Sequence, residues 1–285
     1  MIEVAVRGDA TLGEGPTWDT STSTLLWVDI LGSAVHRYDP GSGRDDVLPT
    51  PQHVGAAKPR AGGGLIANLR DGVVLLDVDG TQRWLVYWER EGVRGNDAAV
   101  DGAGRLWAGT MRYDAAEGGG WLARVEPDGA AKVLLDDVTI SNGLGWSPDH
   151  TLMYYIDTPT QRVDVFDYDL VTGAAVNRRP LCTVEGTPGS PDGLCVDADG
   201  CVWVALWDGH AIRRYTPEGK LDREVPMPVA RATACAFGGP DFTDLYVTTA
   251  REGLTSEQLS EQELAGSLLV LPGFGVGVPS TLFAG

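Results

Sequence analysis

The chain has 285 residues, enough for one large domain or two ordinary ones with an ample core, and 43% of them are hydrophobic, an ordinary share for a globular protein. Against 22 basic residues stand 40 acidic ones, a net charge of −18 that repels phosphate backbones and anionic lipid, so neither nucleic acid nor a membrane is expected as a partner. No apolar run reaches the roughly 18 residues of a membrane span, and Met1 to Gly8 alternates around Glu3 and Arg7 instead of forming an apolar leader, so a cytoplasmic location is expected.

Taken in chain order, the sequence reads as short strands punctuated by Gly, Pro and Asp. Ile2 to Val6 is a lone strand. A first hairpin, GPTWDTSTSTLLWVDI from Gly15, leads to a third strand in AVHRYDPGSG from Ala34 and an outer one over Asp46 to Leu48. A weaker copy, GGGLIANLRDGVVLL, runs into GVVLLDVDG from Gly72 and an outer strand from Arg83 to Tyr87. The pattern returns as DAAVDGAGRLWAGT from Asp97, WLARVEPDG from Trp121 and Lys132 to Leu135. It comes again as GLGWSPDHTLMYYID from Gly143, VDVFDYDLVTG from Val163 and Val176 to Cys182, then as GLCVDADGCVWVALW from Gly193, AIRRYTPEG from Ala211 and Leu221 to Val225. The last copy, ACAFGGPDFTDLYVTT from Ala234 with SLLVLPG from Ser267, lacks an outer strand. The only helical stretch is one short turn within Ser256 to Leu264.

Repeats of about 40 to 50 residues with four strands each have the dimensions of propeller blades. The predicted fold is therefore all-β, a single six-bladed β-propeller over residues 1–285 with four-stranded blades. The N-terminal strand, which has no unit of its own, supplies the outer strand that the last blade lacks and closes the ring.

The innermost strand of a blade enters beside the central channel, so equivalent positions in different blades lie at one height around the axis. Counting back five residues from the first turn residue of each hairpin gives Glu14, Asn96, Asn142 and Asp192 in four blades and Thr233 in the sixth. The second blade offers nothing comparable from Val54 to Ala57. Convergent Asp, Glu and Asn oxygens without thiolate or imidazole describe a site for a hard cation. Each residue also has a local explanation: Asp192, Asn142 and Asn96 suit turns and caps, and Glu14 could be a surface carboxylate. Their common slot favours the cation. Cys182, Cys195, Cys201 and Cys235 have no CxxC spacing and read as reduced thiols, with Cys195 and Cys201 facing each other across a hairpin. His36, His53, His150 and His210 form no zinc-hydrolase pattern.

The same segments carry a resemblance. LGEGPTWD at Leu12, GNDAAVDGAGRLWAGTM at Gly95, ISNGLGWSPD at Ile140, PDGLCVDADGCVWVALW at Pro191 and FGGPDFTDLYVTTA at Phe237, followed by AGSLLVL, resemble the senescence marker protein/gluconolactonase/regucalcin-like family over nearly the whole chain. The resemblance implies a six-bladed propeller that holds one divalent metal ion on Glu14, Asn142 and Asp192. It implies also that Asn96 sits beside the ion and helps to bind substrate, that Arg94 binds substrate oxygens, and that Asp114 is a further substrate-contacting acid. Ala98-Ala99 stands where animal members tend to have Gly-Lys. With ALW at Ala205 to Trp207, this looks more like bacterial sugar lactonases.

The function so implied is metal-dependent hydrolysis of a sugar-acid lactone, such as a glucono-, xylono- or arabinolactone, to the open-chain aldonate. Asp192 would act as catalytic base, and Ca²⁺, Mg²⁺, Mn²⁺, Zn²⁺ or Fe²⁺ could serve as the ion. The expected partner is the small-molecule lactone, with no obligate protein partner. Two alternatives stay open: a non-catalytic metal- or ligand-binding propeller, and a paraoxonase-like lactonase or esterase for non-sugar substrates. In the latter, Trp207, Trp121 and Tyr113 would form apolar walls, although tryptophan is equally a propeller core residue.

Overall fold

The structure, a computed structural model, describes residues 1–186 and 188–285. Six antiparallel four-stranded sheets follow one another along the chain. Their innermost strands are Gly13–Asp19, Val54–Pro59, Val93–Val100, Ser141–Trp146, Ser190–Val196 and Ala232–Gly238, which belong to blades 1 to 6 in that order. Each of the first five blades then adds three strands by consecutive hairpins. The sixth adds Asp244–Thr249 and Leu268–Leu271, and its fourth strand is Glu3–Val6 from the N-terminus, with Glu3 opposite Val270 and Val4 opposite Leu269. The six-bladed propeller and its closure are thus as the sequence predicts. The helix is a six-residue segment, Ser256–Glu261, opened by a capping box between Thr255 and Gln258.

The core lies between blades. Leu26, Val28 and Val35 of blade 1 pack on Val54, Ala57 and Leu65 of blade 2, and Trp18, Leu25 and Trp27 meet Tyr246 and Leu268 across the closing seam. Burial of this alternating apolar face, at roughly 25 cal/mol per Å², is what holds one blade against the next. The outer strands are exposed and carry charges such as Arg44, Asp45 and Asp46, which discourage pairing with another chain.

The hairpin turns fix the height of the inner strands. Asp101 accepts hydrogen bonds from the backbone N–H groups of Ala103 and Arg105 through one carboxylate oxygen and from the Trp107 indole at 2.9 Å through the other. Asp197 does the same with Asp199, Cys201 and Trp203. The pairing of inner with second strand slips at one place in every blade: between Glu14 and Thr17, Val54 and Ala56, Gly95 and Ala98, Ser141 and Leu144, Pro191 and Leu194, and Ala232 and Ala234. A β-bulge re-aims the side chains at its extra residue, and here the bulges turn the slot residues toward the channel.

One cysteine expectation needs correction. Cys195 lies opposite Trp203, and its sulfur is 3.6 Å from that of Cys235 on the neighbouring inner strand, not across the hairpin from Cys201. Cys201 is instead held in the turn, where its N–H donates to Asp197. All four cysteines are free thiols. The tail beyond Leu271 crosses the far face of the propeller, where Phe283 is fully buried beside Pro59 and Arg60. Among the described residues no helix is long and apolar enough to cross a membrane.

Candidate functional site

The inner strands begin around a cavity of about 400 Å³ at one mouth of the channel, lined by Glu14, Arg94, Asn96, Asn142 and Asp192 together with Tyr113, Trp207 and Glu252. Five of the six predicted site residues therefore share one cavity, although they come from four blades. Each is nearly buried: Glu14, Arg94, Asn96 and Asp192 are 6% exposed and Asn142 is 4% exposed. Glycines beside the slot let neighbouring inner strands approach. A Cβ on Gly143, next to Asn142, would meet the Asp192 carbonyl oxygen at 2.8 Å, and one on Gly193 would strike Ala234 at 2.4 Å.

Hydrogen bonds orient the set. The Asn142 amide nitrogen donates to Asp192 Oδ1 and, at 3.0 Å, to Thr158 Oγ1. That fixes the flip of the amide, and Asn142 Oδ1 is left buried with no hydrogen-bond partner. Glu14 Oε2 accepts from the N–H of Gly15 at 2.8 Å, a residue at φ +57° where glycine is at ease. Asn96 donates to the Ser141 carbonyl at 2.8 Å and accepts from Arg94 Nη1 at 2.7 Å, while the same Arg94 nitrogen donates to Gly95 O at 2.9 Å.

The charge of the cluster is only partly compensated, by Lys58 at Glu14 and by Arg94 at Asp192. Burial pushes the Glu14 carboxyl well above the usual range, and the charges of Asp192 and Asp97 push it further. Burial does the same to Asp192; the Asn142 hydrogen bond opposes the shift and Asp97 adds to it. Two buried carboxylates that repel each other, beside an amide oxygen with nothing to bind, are the donor set of a hard dication. Among the described residues no three His, Cys, Asp or Glu come together to hold a metal. The set fits one only because Asn142 contributes the third oxygen.

Asp114 is not part of this cavity. It is exposed on the rim, held by two 2.8 Å bonds from Arg112 that drop its pKa to about 2, and its neighbour Tyr113 faces the cavity instead. Thr233 uses its hydroxyl to donate to Gly13 O at 2.6 Å and so ties blade 6 to blade 1. Of the three aromatic wall candidates, Trp207 and Tyr113 line the cavity, whereas Trp121 packs edge-on against Trp88 to one side.

The model of the SMP-30/Gluconolactonase/LRE-like region matches residues 12–251. The chain belongs to this family. Among its relatives in the family, regucalcin of Danio rerio is 37% identical over 292 residues, covering all of this chain and 98% of its own, and regucalcin of Bos taurus is 38% identical with the same coverage. Among solved structures, a calcium-binding protein, regucalcin, from Agrobacterium tumefaciens superposes with a TM-score of 0.94 at 31% identity, over 98% of this chain and 96% of its own. A luciferin-regenerating enzyme gives 0.92 at 33% identity over 100% and 99%. A gluconolactonase from Xanthomonas campestris gives 0.77 at 25% identity over 95% and 89%.

Two features of this family member escape a reading of motifs. Glu252, in the turn after the second strand of blade 6, reaches the cavity from outside the slot. Lys58, in the one blade without a slot oxygen, is buried in the channel on the far side of Glu14. Its ammonium donates to Thr17 Oγ1 at 2.6 Å and to Gly15 O at 3.2 Å. A lysine amid apolar alternation was the available signal for the second; an acid following a strand is too common to single out the first.

Proposed function

We propose that this protein hydrolyses a sugar-acid lactone to the open-chain aldonate, with one divalent ion held by Glu14, Asn142 and Asp192. The observation that carries the reading is the unpartnered, buried Asn142 Oδ1 in one cavity with two carboxylates that burial holds high even with the charges of Lys58 and Arg94 opposing the rise. Family membership supports it, as do a gluconolactonase and a calcium-binding regucalcin among the structural relatives.

An ion bound there supplies the positive charge that polarises an ester carbonyl and acidifies water. The protein's own groups do the rest. Asp192, anchored by Asn142, takes the proton of the attacking water. Arg94 and Asn96, locked to each other, present donors to the lactone oxygens and to charge developing on them. Tyr113 and Trp207 close the sides and limit water.

The test is a panel of aldonolactones followed with a pH indicator, before and after chelation, with Ca²⁺, Mg²⁺, Mn²⁺, Zn²⁺ and Fe²⁺ added back singly. Turnover is expected to vanish on chelation and to return with at least one ion. Undiminished turnover after chelation would sink the metal-dependent scheme. A second reading has its own support, since Leu12, Ile30, Leu31, Met111, Ile140 and Trp207 give the cavity an apolar arc. The panel therefore carries an alkyl lactone and an aryl ester; turnover of these alone selects a non-sugar substrate, and no turnover at all selects a binding propeller.

A further inference from the structure

Glu252 is placed with care for a residue outside the repeat. The backbone N–H groups of Arg251 and Glu252 both donate to the Thr11 carbonyl, at 3.0 and 2.8 Å, and pin the turn against the entry to blade 1. From there the half-buried Glu252 side chain joins Glu14, Arg94 and Asp192 in lining the cavity, and among the described residues it has no hydrogen bond or ion pair. Its charge is nonetheless felt. Burial pushes the Arg94 guanidinium down, and Glu252 pulls it back more than Glu14 or Asp192 does; Glu252 also adds to the rise at Asp192.

We propose that Glu252 is a specificity-determining residue that makes the cavity favour a neutral lactone over the anionic product of its hydrolysis. The proposal rests on the lactonase reading above. Three carboxylates and one guanidinium face the cavity, so a divalent ion brings it to neutrality. Without Glu252 the loaded cavity would carry a net positive charge. Hydrolysis adds water across the ester bond and yields a carboxylate and a proton, so substrate and product differ by one negative charge. An uncharged ring is almost indifferent to a carboxylate at the wall, whereas an anion is repelled. For unit charges several ångströms apart in a half-buried site, that repulsion corresponds to about a 3- to 30-fold change in affinity.

The experiment is calorimetry on the metal-loaded protein, wild type against Glu252→Gln and Glu252→Asp, with gluconate as the anion and 1,5-anhydroglucitol as an uncharged ring with a similar hydroxyl pattern. Glu252→Gln is expected to bind gluconate about 3- to 30-fold more tightly and the neutral ring within about 3-fold of wild type. The gap should narrow as salt is raised, and Glu252→Asp should behave like wild type. Unchanged or weaker gluconate binding in Glu252→Gln overturns the proposal. So does a loss of the neutral ring alone, which would make Glu252 a hydroxyl acceptor, and so does a failure of both ligands to bind any variant. Should the charge discrimination appear while wild type hydrolyses no lactone, the lactonase reading fails and the anion-excluding role stands.

Discussion

Glu14 and Asp192 bring a cost that protons, or a cation if one binds, would remove, and the cost has a sign that pH reveals. In the unfolded chain both titrate near the ordinary carboxylate value of about 4. In the fold, burial is the largest cause and raises both; neighbouring carboxylates add to the rise, while at Asp192 the Asn142 hydrogen bond opposes it. The folded state therefore holds protons that the unfolded state gives up. Stability from this source is present below the ordinary value and is lost as pH rises through the raised ones. Metal-stripped protein is expected to melt at progressively lower temperature over that interval, and Asp192→Asn should flatten the slope. Saturating metal should restore the melting temperature, by about 2.7 kcal/mol at a hundredfold excess over Kd. Scanning calorimetry of stripped protein across pH checks this, and parallel curves for wild type and Asp192→Asn would refute it. Asp114 shows the opposite environment: it is exposed, and its hydrogen bonds from Arg112 outweigh the little burial it has and hold its carboxyl low.

At the scale of the element, what makes a site from an ordinary strand is the bulge. In blades 4 and 5 the residue after the slot is a glycine, Gly143 or Gly193, and the strands close in; in blade 3 it is Asp97, which turns toward the far end of the channel where Lys58 lies. Burial pushes the Lys58 ammonium down, with Asp97 and then Glu14 pulling it back, and Lys58 in turn is the charge that most lowers Asp97. Lys58→Met should leave Asp97 without that countercharge and the Gly15 carbonyl without its donor, costing about 1–3 kcal/mol. In a chain of this size that is a fall of several degrees in Tm, which Asp97→Asn should partly recover. A Tm unchanged by the single substitution would show that the ammonium holds nothing in place. The strands and the slot were legible because alternation and turn residues are local, and a five-residue count from Asp101 or Asp197 is fixed by the hairpin. The bulges were not, since a slip in pairing leaves no mark on composition. Partners supplied by another blade, such as Thr17 for Lys58 or Cys235 for Cys195, were equally hidden, because nothing in a strand names its neighbour across the seam.

For the molecule as a whole, the ring is only as strong as its last joint. Blade 6 borrows Glu3–Val6, and the strand it covers, Leu268–Leu271, is buried almost throughout. Two other ties cross the seam: close to the site Thr233 Oγ1 donates to Gly13 O at 2.6 Å, and toward the other end of the strand Trp18 stacks on Tyr246 with ring centroids 6.2 Å apart. Deleting residues 1–6 would strip the outer strand and leave a flat apolar edge open to another chain. The truncated protein is expected to melt several degrees lower and to form higher-order species in size-exclusion chromatography, in proportion to its concentration. Because Gly13 precedes Glu14, a loosened seam should also weaken metal binding by a few-fold, even though no ligand has been touched. Calorimetric titration of the deletion variant at low protein concentration separates that effect from association. An affinity equal to that of the full chain would mean that Thr233 and the interblade core hold Glu14 in place without the closing strand, and that closure serves the edge and not the site.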